Sequence, residues 1–181
     1  MTVVLDVSAA LEILLRKDKA ELFGKTLQEA DWVIAPELYV AEISNVLWKY
    51  QKAKVLNHEE ALRLTENGIA LVDDFFGLQD LWKEAQGEGV RSAHSVYDLF
   101  YAVLARRNDA LLMTSDKELA ALCRKLKIQV CSQEEYSGAS TTRIPSRRAH
   151  REAGDKGPVR EVHAEGNRGH GLPRGQREDR Q

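Results

Sequence analysis

Two cysteines in 181 residues, Cys123 and Cys131, are too few for a disulfide framework, and they form no CxxC pair. Both stand inside apolar stretches, which suits buried thiols in a reducing compartment. No run approaches the ~18 consecutive apolar residues that a membrane-spanning helix needs. The opening Met1-Thr2-Val3-Val4-Leu5 meets Asp6 at once, with no basic stretch and no small-residue cleavage site, so no secretory signal is expected. No His or Cys shares the spacing of a zinc site. With 43% hydrophobic and 30% charged residues, the composition is that of a soluble globular chain, expected in the cytoplasm and without a membrane partner.

Basic charge is scarce where a fold is expected. The formal net charge is −2, but residues 1–136 hold 16 Lys+Arg against 22 Asp+Glu, whereas residues 137–181 hold 10 against 6. An acidic folded region excludes a general nucleic-acid-binding surface, so any action on RNA must run through a local site. From Ser137 onward large apolar residues almost vanish, aromatics are absent, and Gly, Pro and Arg recur without a period. Nothing there can bury a core. The expected organisation is one domain over 1–136 and a disordered Arg/Gly-rich tail over 137–181.

Within 1–136, short apolar or β-branched runs alternate with helical patterns. Val3–Leu5 reads as a strand, with Ser8 able to cap the helix that carries Leu11, Leu14 and Leu15. Trp32–Ile34 is a second strand, and Pro36 starts a helix to about Ala53 with Val40, Ile43, Val46, Leu47 and Tyr50 on one face. Helices are expected at His58–Asn67 and Leu78–Gln86, with a strand at Ile69–Val72 between them. Ser95–Arg107 is apolar nearly all round, which sets it in the middle of the structure. A strand at Leu111–Thr114, a helix at Lys117–Lys125 and a strand at Ile128–Cys131 complete the pattern. Such alternation with short links argues for an α/β fold on a parallel sheet.

In a parallel sheet, functional groups gather at the carboxyl ends of the strands. Asp6 closes the first strand, Asp116 lies just beyond Leu111–Thr114, Asp98 sits in the first turn of the most apolar helix, and Glu42 lies near the start of its helix. Each has a structural alternative. Asp6 could cap a helix, Asp98 could answer Ser95 in a capping box, Asp116 could complement a helix start behind a Ser115–Glu118 box, and Glu42 could face water. Four unrelated caps would scatter, whereas these four share one expected edge. If they converge, an oxygen-only carboxylate cluster suits Mg²⁺ or Mn²⁺ rather than zinc. The chemistry that follows is phosphodiester hydrolysis by metal-activated water. Ser8, Ser95 and Ser115 have no His partner suggested by position, and His58 and His94 read as surface residues, so covalent catalysis has little support.

Taken together, VVLDVSAALEILL, APELYVAEISNVLWKY and HSVYDLFYAVLARRNDALLMTSDKELAALCRKLKI resemble the motifs of the PIN-domain family, particularly its VapC-type toxins. The resemblance covers about residues 2–131, and the last segment is its most specific part. It implies a PIN-like α/β/α sandwich around a mostly parallel sheet of about four to five strands. It implies that Asp6, Glu42, Asp98 and Asp116 form the catalytic site and hold the Mg²⁺ or Mn²⁺, with Ser8 and Thr114 as nearby hydroxyls and Glu118 as a competing fifth oxygen. It further implies an endoribonuclease acting on RNA, a homodimer, and a cognate antitoxin through which promoter DNA is bound. Lys49, Lys52, Arg106, Arg107 and Lys117 are candidates for RNA phosphates, against the alternative of solvated helix ends, and Trp48 and Trp82 for a dimer or antitoxin surface, against that of core rings. A phosphatase of the haloacid-dehalogenase type would need DxDx[TV], and residue 8 is Ser. The remaining alternative is a catalytically silent subunit of the same fold that binds a partner.

Overall fold

Val3, Val4 and Leu5 are all completely buried. Successive side chains of a strand point to opposite faces, so three buried in a row require cover on both sides. That requirement sets the architecture. The structure is a computed structural model and describes residues 1–131. The tail expected over 137–181 and the last residues of the expected 1–136 domain lie outside the described residues.

Among the described residues four strands form one parallel sheet: β1 (Thr2–Leu5), β2 (Trp32–Pro36), β3 (Asp74–Phe76) and β4 (Leu111–Met113), in the order β3-β2-β1-β4. Register runs Val3 to Val33 on one side of β1 and Val3 to Leu111 on the other. β3 is held on β2 through Ala35 and Phe75. Among the described residues seven helices flank the sheet: α1 (Val7–Leu14), α2 (Ala20–Glu29), α3 (Leu38–Lys52), α4 (His58–Ile69), α5 (Leu78–Ser92), α6 (Val96–Arg107) and α7 (Lys117–Lys125). α1 packs with α2, α3 and α4, while α6 packs with α5 and α7 and lies across β1, β2 and β4. Every residue from Leu99 to Ala105 is buried, as the all-round apolar pattern of α6 requires. Each large apolar side chain so placed contributes about 1.5–3 kcal/mol of burial.

Parallel order fixes what matters for function, because all four strands end on the same edge. Connections leave β1 toward β2 on one side and β4 lies on the other, so the switch point of the sheet falls between β1 and β4. There the Asp6 amide donates to the Met113 carbonyl at 3.0 Å, which joins the end of β1 to the end of β4.

Several sequence expectations need correction. The strand expected at Ile69–Val72 is the end of α4 and its link; the third strand is Asp74–Phe76. Ile128–Cys131 contributes only one bridge, Val130 to Leu112, flanked by Leu112 N–H to Gln129 O and Cys131 N–H to Leu112 O, each 2.9 Å. Pro36 ends β2 rather than starting α3, α5 runs on to Ser92, and α2 was not foreseen. At the α3–α4 crossing a Cβ on Gly68 would lie 2.1 Å from Ile43 Cδ1. The Gly68 carbonyl there accepts the buried Tyr39 hydroxyl at 2.8 Å.

Candidate active site

The end of β1 delivers Asp6 to the first turn of α1, and only 8% of the residue remains exposed. Asp6 stands at the N-cap position of α1, yet its side chain makes no cap hydrogen bond. Instead its Oδ2 accepts two hydroxyls, Ser8 Oγ at 2.5 Å and Thr114 Oγ1 at 2.6 Å. Ser8 therefore orients a carboxylate rather than capping the helix. Each hydroxyl has one proton to give and spends it on Asp6. Their lone pairs serve the β4–α7 turn, with Ser115 N–H donating to Ser8 Oγ at 2.8 Å and Asp116 N–H to Thr114 Oγ1 at 3.0 Å. Two hydroxyls thus lock the turn that carries Asp116 onto the carboxylate that ends β1.

Asp116 is itself the N-cap of α7, its Oδ1 accepting the amides of Glu118 at 2.7 Å and Leu119 at 3.0 Å. The cap is one residue later than a Ser115–Glu118 box would have it. Capping occupies Oδ1 and fixes the rotamer. Glu42 lies in the second turn of α3, half-buried, and accepts the Tyr101 hydroxyl from α6. Tyr101 is itself buried, and burial together with the Glu42 charge pushes its pKa far up, so it stays a protonated donor. Asp98 occupies the first turn of α6, and Ser95, the N-cap residue there, makes no side-chain cap bond. His94 Nε2 lies 3.1 Å from Asp98 Oδ2, off-line for a hydrogen bond, and its side chain is 18% exposed. His94 is therefore a largely buried neighbour of Asp98 and not the surface residue its sequence context suggested. His58 is exposed, as expected.

The acids feel one another. Burial pushes the Asp6 carboxyl above the usual range, the Ser8 and Thr114 hydroxyls pull it back, and Asp98 pushes it up again. Glu42 is raised by burial, relieved by Tyr101, and raised further by Asp6 and Asp98. Asp98 is raised by burial, lowered by His94, and raised by Asp116 and Glu118. The four expected site residues thus share one electrostatic field, with Asp98 linked to the other three. Among the described residues none of the four is ion-paired with Lys or Arg. His94, beside Asp98, is the basic side chain that relieves this charge in part.

A set of hard oxygen donors without Lys or Arg partners is what Mg²⁺ or Mn²⁺ binds. Among the described residues no three His, Cys, Asp or Glu side chains form a ready-made metal cage. Mg²⁺ seldom uses one; it binds through one or two carboxylates, keeps several waters and takes substrate phosphates. Donor chemistry and charge fit such an ion, and Asp6, Glu42, Asp98 and Asp116 are the groups that could hold it.

Sequence reading missed Tyr101 as the group that holds Glu42. The available signal was its place three residues after Asp98, on the same face of a helix. Of the basic residues expected at phosphates, Arg106 and Arg107 are engaged elsewhere: Arg106 Nη1 donates to Glu88 at 2.9 Å and Arg107 Nε to Glu84 at 3.1 Å. Lys52 lies over the Trp48 ring, 5.2 Å from its centroid. Trp48 and Trp82 are both about half exposed, unusual for rings of that size. Among the described residues no helix is long and apolar enough to cross a membrane.

A model of the PIN domain matches residues 3–125. A curated relative, ribonuclease VapC3 of Pyrobaculum aerophilum, is 26% identical over 125 residues, which span 66% of this chain and 93% of the relative. Among solved structures, PAE2754 of Pyrobaculum aerophilum superposes with a TM-score of 0.57 at 20% identity, covering 72% of this chain and 83% of the other. VapBC2 of Rickettsia felis, solved bound to a DNA fragment from their promoter, gives a TM-score of 0.54 at 12% identity, covering 72% and 97%. The two superpositions show a shared fold.

Proposed function

The chain belongs to the PIN domain family, and from that premise we propose that it is a Mg²⁺- or Mn²⁺-dependent endoribonuclease, the toxin of a toxin–antitoxin pair acting in the cytoplasm. The observation that carries the reading is the carboxylate field at the carboxyl edge, in which Asp98 raises Asp6 and Glu42, Asp116 raises Asp98, and none of the four has a Lys or Arg partner among the described residues. Such an edge repels a phosphodiester unless a cation intervenes, so the site is suited to hydrolysis only with metal. The name of the curated relative supports ribonuclease chemistry, and the resemblance to VapC-type toxins supports the antitoxin partner and a homodimer.

When bound, the cation supplies positive charge for the phosphate and for the water that attacks it. The chain's own residues organise everything around it. Ser8 and Thr114 fix Asp6 by holding Oδ2, so its other oxygen has a set direction. Tyr101 does the same for Glu42 by donating to Oε2. Asp116 spends Oδ1 on the α7 amides and keeps Oδ2 for the site. Asp98, linked electrostatically to all three, is the acid whose removal most disturbs cation affinity.

The test is cleavage of a mixed-sequence single-stranded RNA by wild type and Asp116→Asn, with Mg²⁺, with Mn²⁺ and with chelator. Metal-dependent products from the wild type and none from the variant are expected. Full activity in Asp116→Asn, or activity that survives chelation, would overturn the reading.

A further inference from the structure

Beside the acid edge the surface opens into a cleft of about 650 Å³, within the range of small-ligand sites. Lys19 and Leu22 line it together with Ser115, Asp116, Lys117 and Arg124. Its three cations come from opposite ends of the domain sequence, Lys19 at the N-cap of α2 and Lys117 and Arg124 seven residues apart on α7. That spacing is two helical turns, which puts both α7 cations on one face. Among the described residues none of the three is in an ion pair. Lys19 also lies over the ring of Phe23, a residue of the same cleft, 5.8 Å from its centroid, whereas Arg91, Arg106 and Arg107 are held away from it by Glu84 or Glu88. In a domain with excess acid, three such cations around one cavity are a local reversal of charge.

The cleft shares Asp116 and Thr114 with the acid cluster, so a strand whose scissile phosphate lies at the acids must pass close to it. Two N-terminal amides of α7, those of Glu118 and Leu119, are already taken by Asp116, so side chains supply most of what meets an anion there. We propose that this cleft binds the RNA strand beside the cut, with Lys19, Lys117 and Arg124 holding a phosphate that flanks the scissile one and the adjoining nucleoside lying against Leu22. The assignment rests on the ribonuclease reading and adds the path of the substrate to it. These three are binding residues, not catalytic ones: their charge acts on a phosphate that does not react. They answer why a domain with acidic excess can hold RNA at all.

The experiment is a fluorescence-anisotropy titration of a short labelled single-stranded RNA of mixed sequence, with Ca²⁺ replacing Mg²⁺ and salt varied between about 50 and 200 mM. Proteins compared are wild type, Lys19→Gln with Arg124→Gln, each single variant, and Lys83→Gln, which removes the same charge from α5, outside the cleft. The double variant is expected to bind about five- to tenfold more weakly, with the salt slope reduced by about 0.7 for each phosphate no longer neutralised. Lys83→Gln is expected to match wild type. In the cleavage reaction the double variant should raise KM with kcat within about twofold, because phosphate contacts position rather than react. Thermal melting confirms that each variant is folded, and the single variants carry the test if the double does not fold. Unchanged affinity and slope, or equal weakening by Lys83→Gln, would overturn the cleft while leaving the ribonuclease reading intact. Absence of RNA binding and cleavage by wild type would overturn both.

Discussion

Replacing Asp6 by Asn should stabilise the protein without metal and remove most of what metal adds. Asp6 is almost wholly buried, its Oδ2 bonded to Ser8 and Thr114 and its charge facing Glu42 and Asp98. An asparagine carbonyl can accept the same two hydroxyls. The loss is charge assistance, about 1 kcal/mol for each bond and about 2 in all. Against it stands the desolvation of a buried carboxylate, several kcal/mol in real proteins. A net gain of about 1–2 kcal/mol follows, or a rise in Tm of about 3–6 °C in a chain of this size. Mn²⁺ at about a hundred times its Kd would stabilise wild type by ~2.7 kcal/mol, and the variant by far less. Differential scanning fluorimetry in chelator and in Mn²⁺ measures both effects. A variant that melts several degrees below wild type in chelator would refute the reasoning, because Asp6 would then be a structural acceptor whose charge the fold needs.

Burial, and then mutual repulsion, raises Asp6, Glu42 and Asp98, so the folded chain holds their protons more tightly than the unfolded one. From the ordinary values of 3.8 and 4.5 upward to the raised ones, these groups make metal-free stability fall as pH rises. In urea melts Asp98→Asn should therefore be more stable than wild type near neutral pH, with the gap closing as pH falls through that window; a constant gap would contradict it. Gly68→Ala drives a methyl into Ile43 at the α3–α4 crossing and should cost about 1–3 kcal/mol in urea denaturation, where a neutral effect would show the crossing to be loose. Residues 1–136 alone should melt cooperatively at a Tm close to that of the whole chain; loss of the transition would make the tail structural.

The edge was legible in the sequence because a parallel sheet converts distant positions into neighbours. Asp6 and Asp116 each follow a short buried strand, and an α6 that is apolar on every face could only lie at the centre. α2 was not legible, since Phe23 and Thr26 are its only buried residues and Gly24 breaks the pattern. β3 was misplaced because the apolar run Ile69–Val72 outweighs Asp74-Phe75-Phe76, whose residues are at most half-buried. The cap on α7 moved from Ser115 to Asp116 because Thr114 and Ser8 draw the turn inward, a tertiary effect. Lys19 and Arg124 were invisible for the same reason: nothing local joins residues 105 positions apart, and only the packed fold brings them to one cleft.

The most direct test of the carboxylate site is calorimetric titration of Mn²⁺ into wild type and Asp98→Asn near neutral pH. Binding by wild type that disappears in the variant is expected, since Asp98 links the fields of Asp6, Glu42 and Asp116. Equal binding by both proteins, or none by wild type, would contradict a single four-carboxylate centre and return these acids to caps and surface groups.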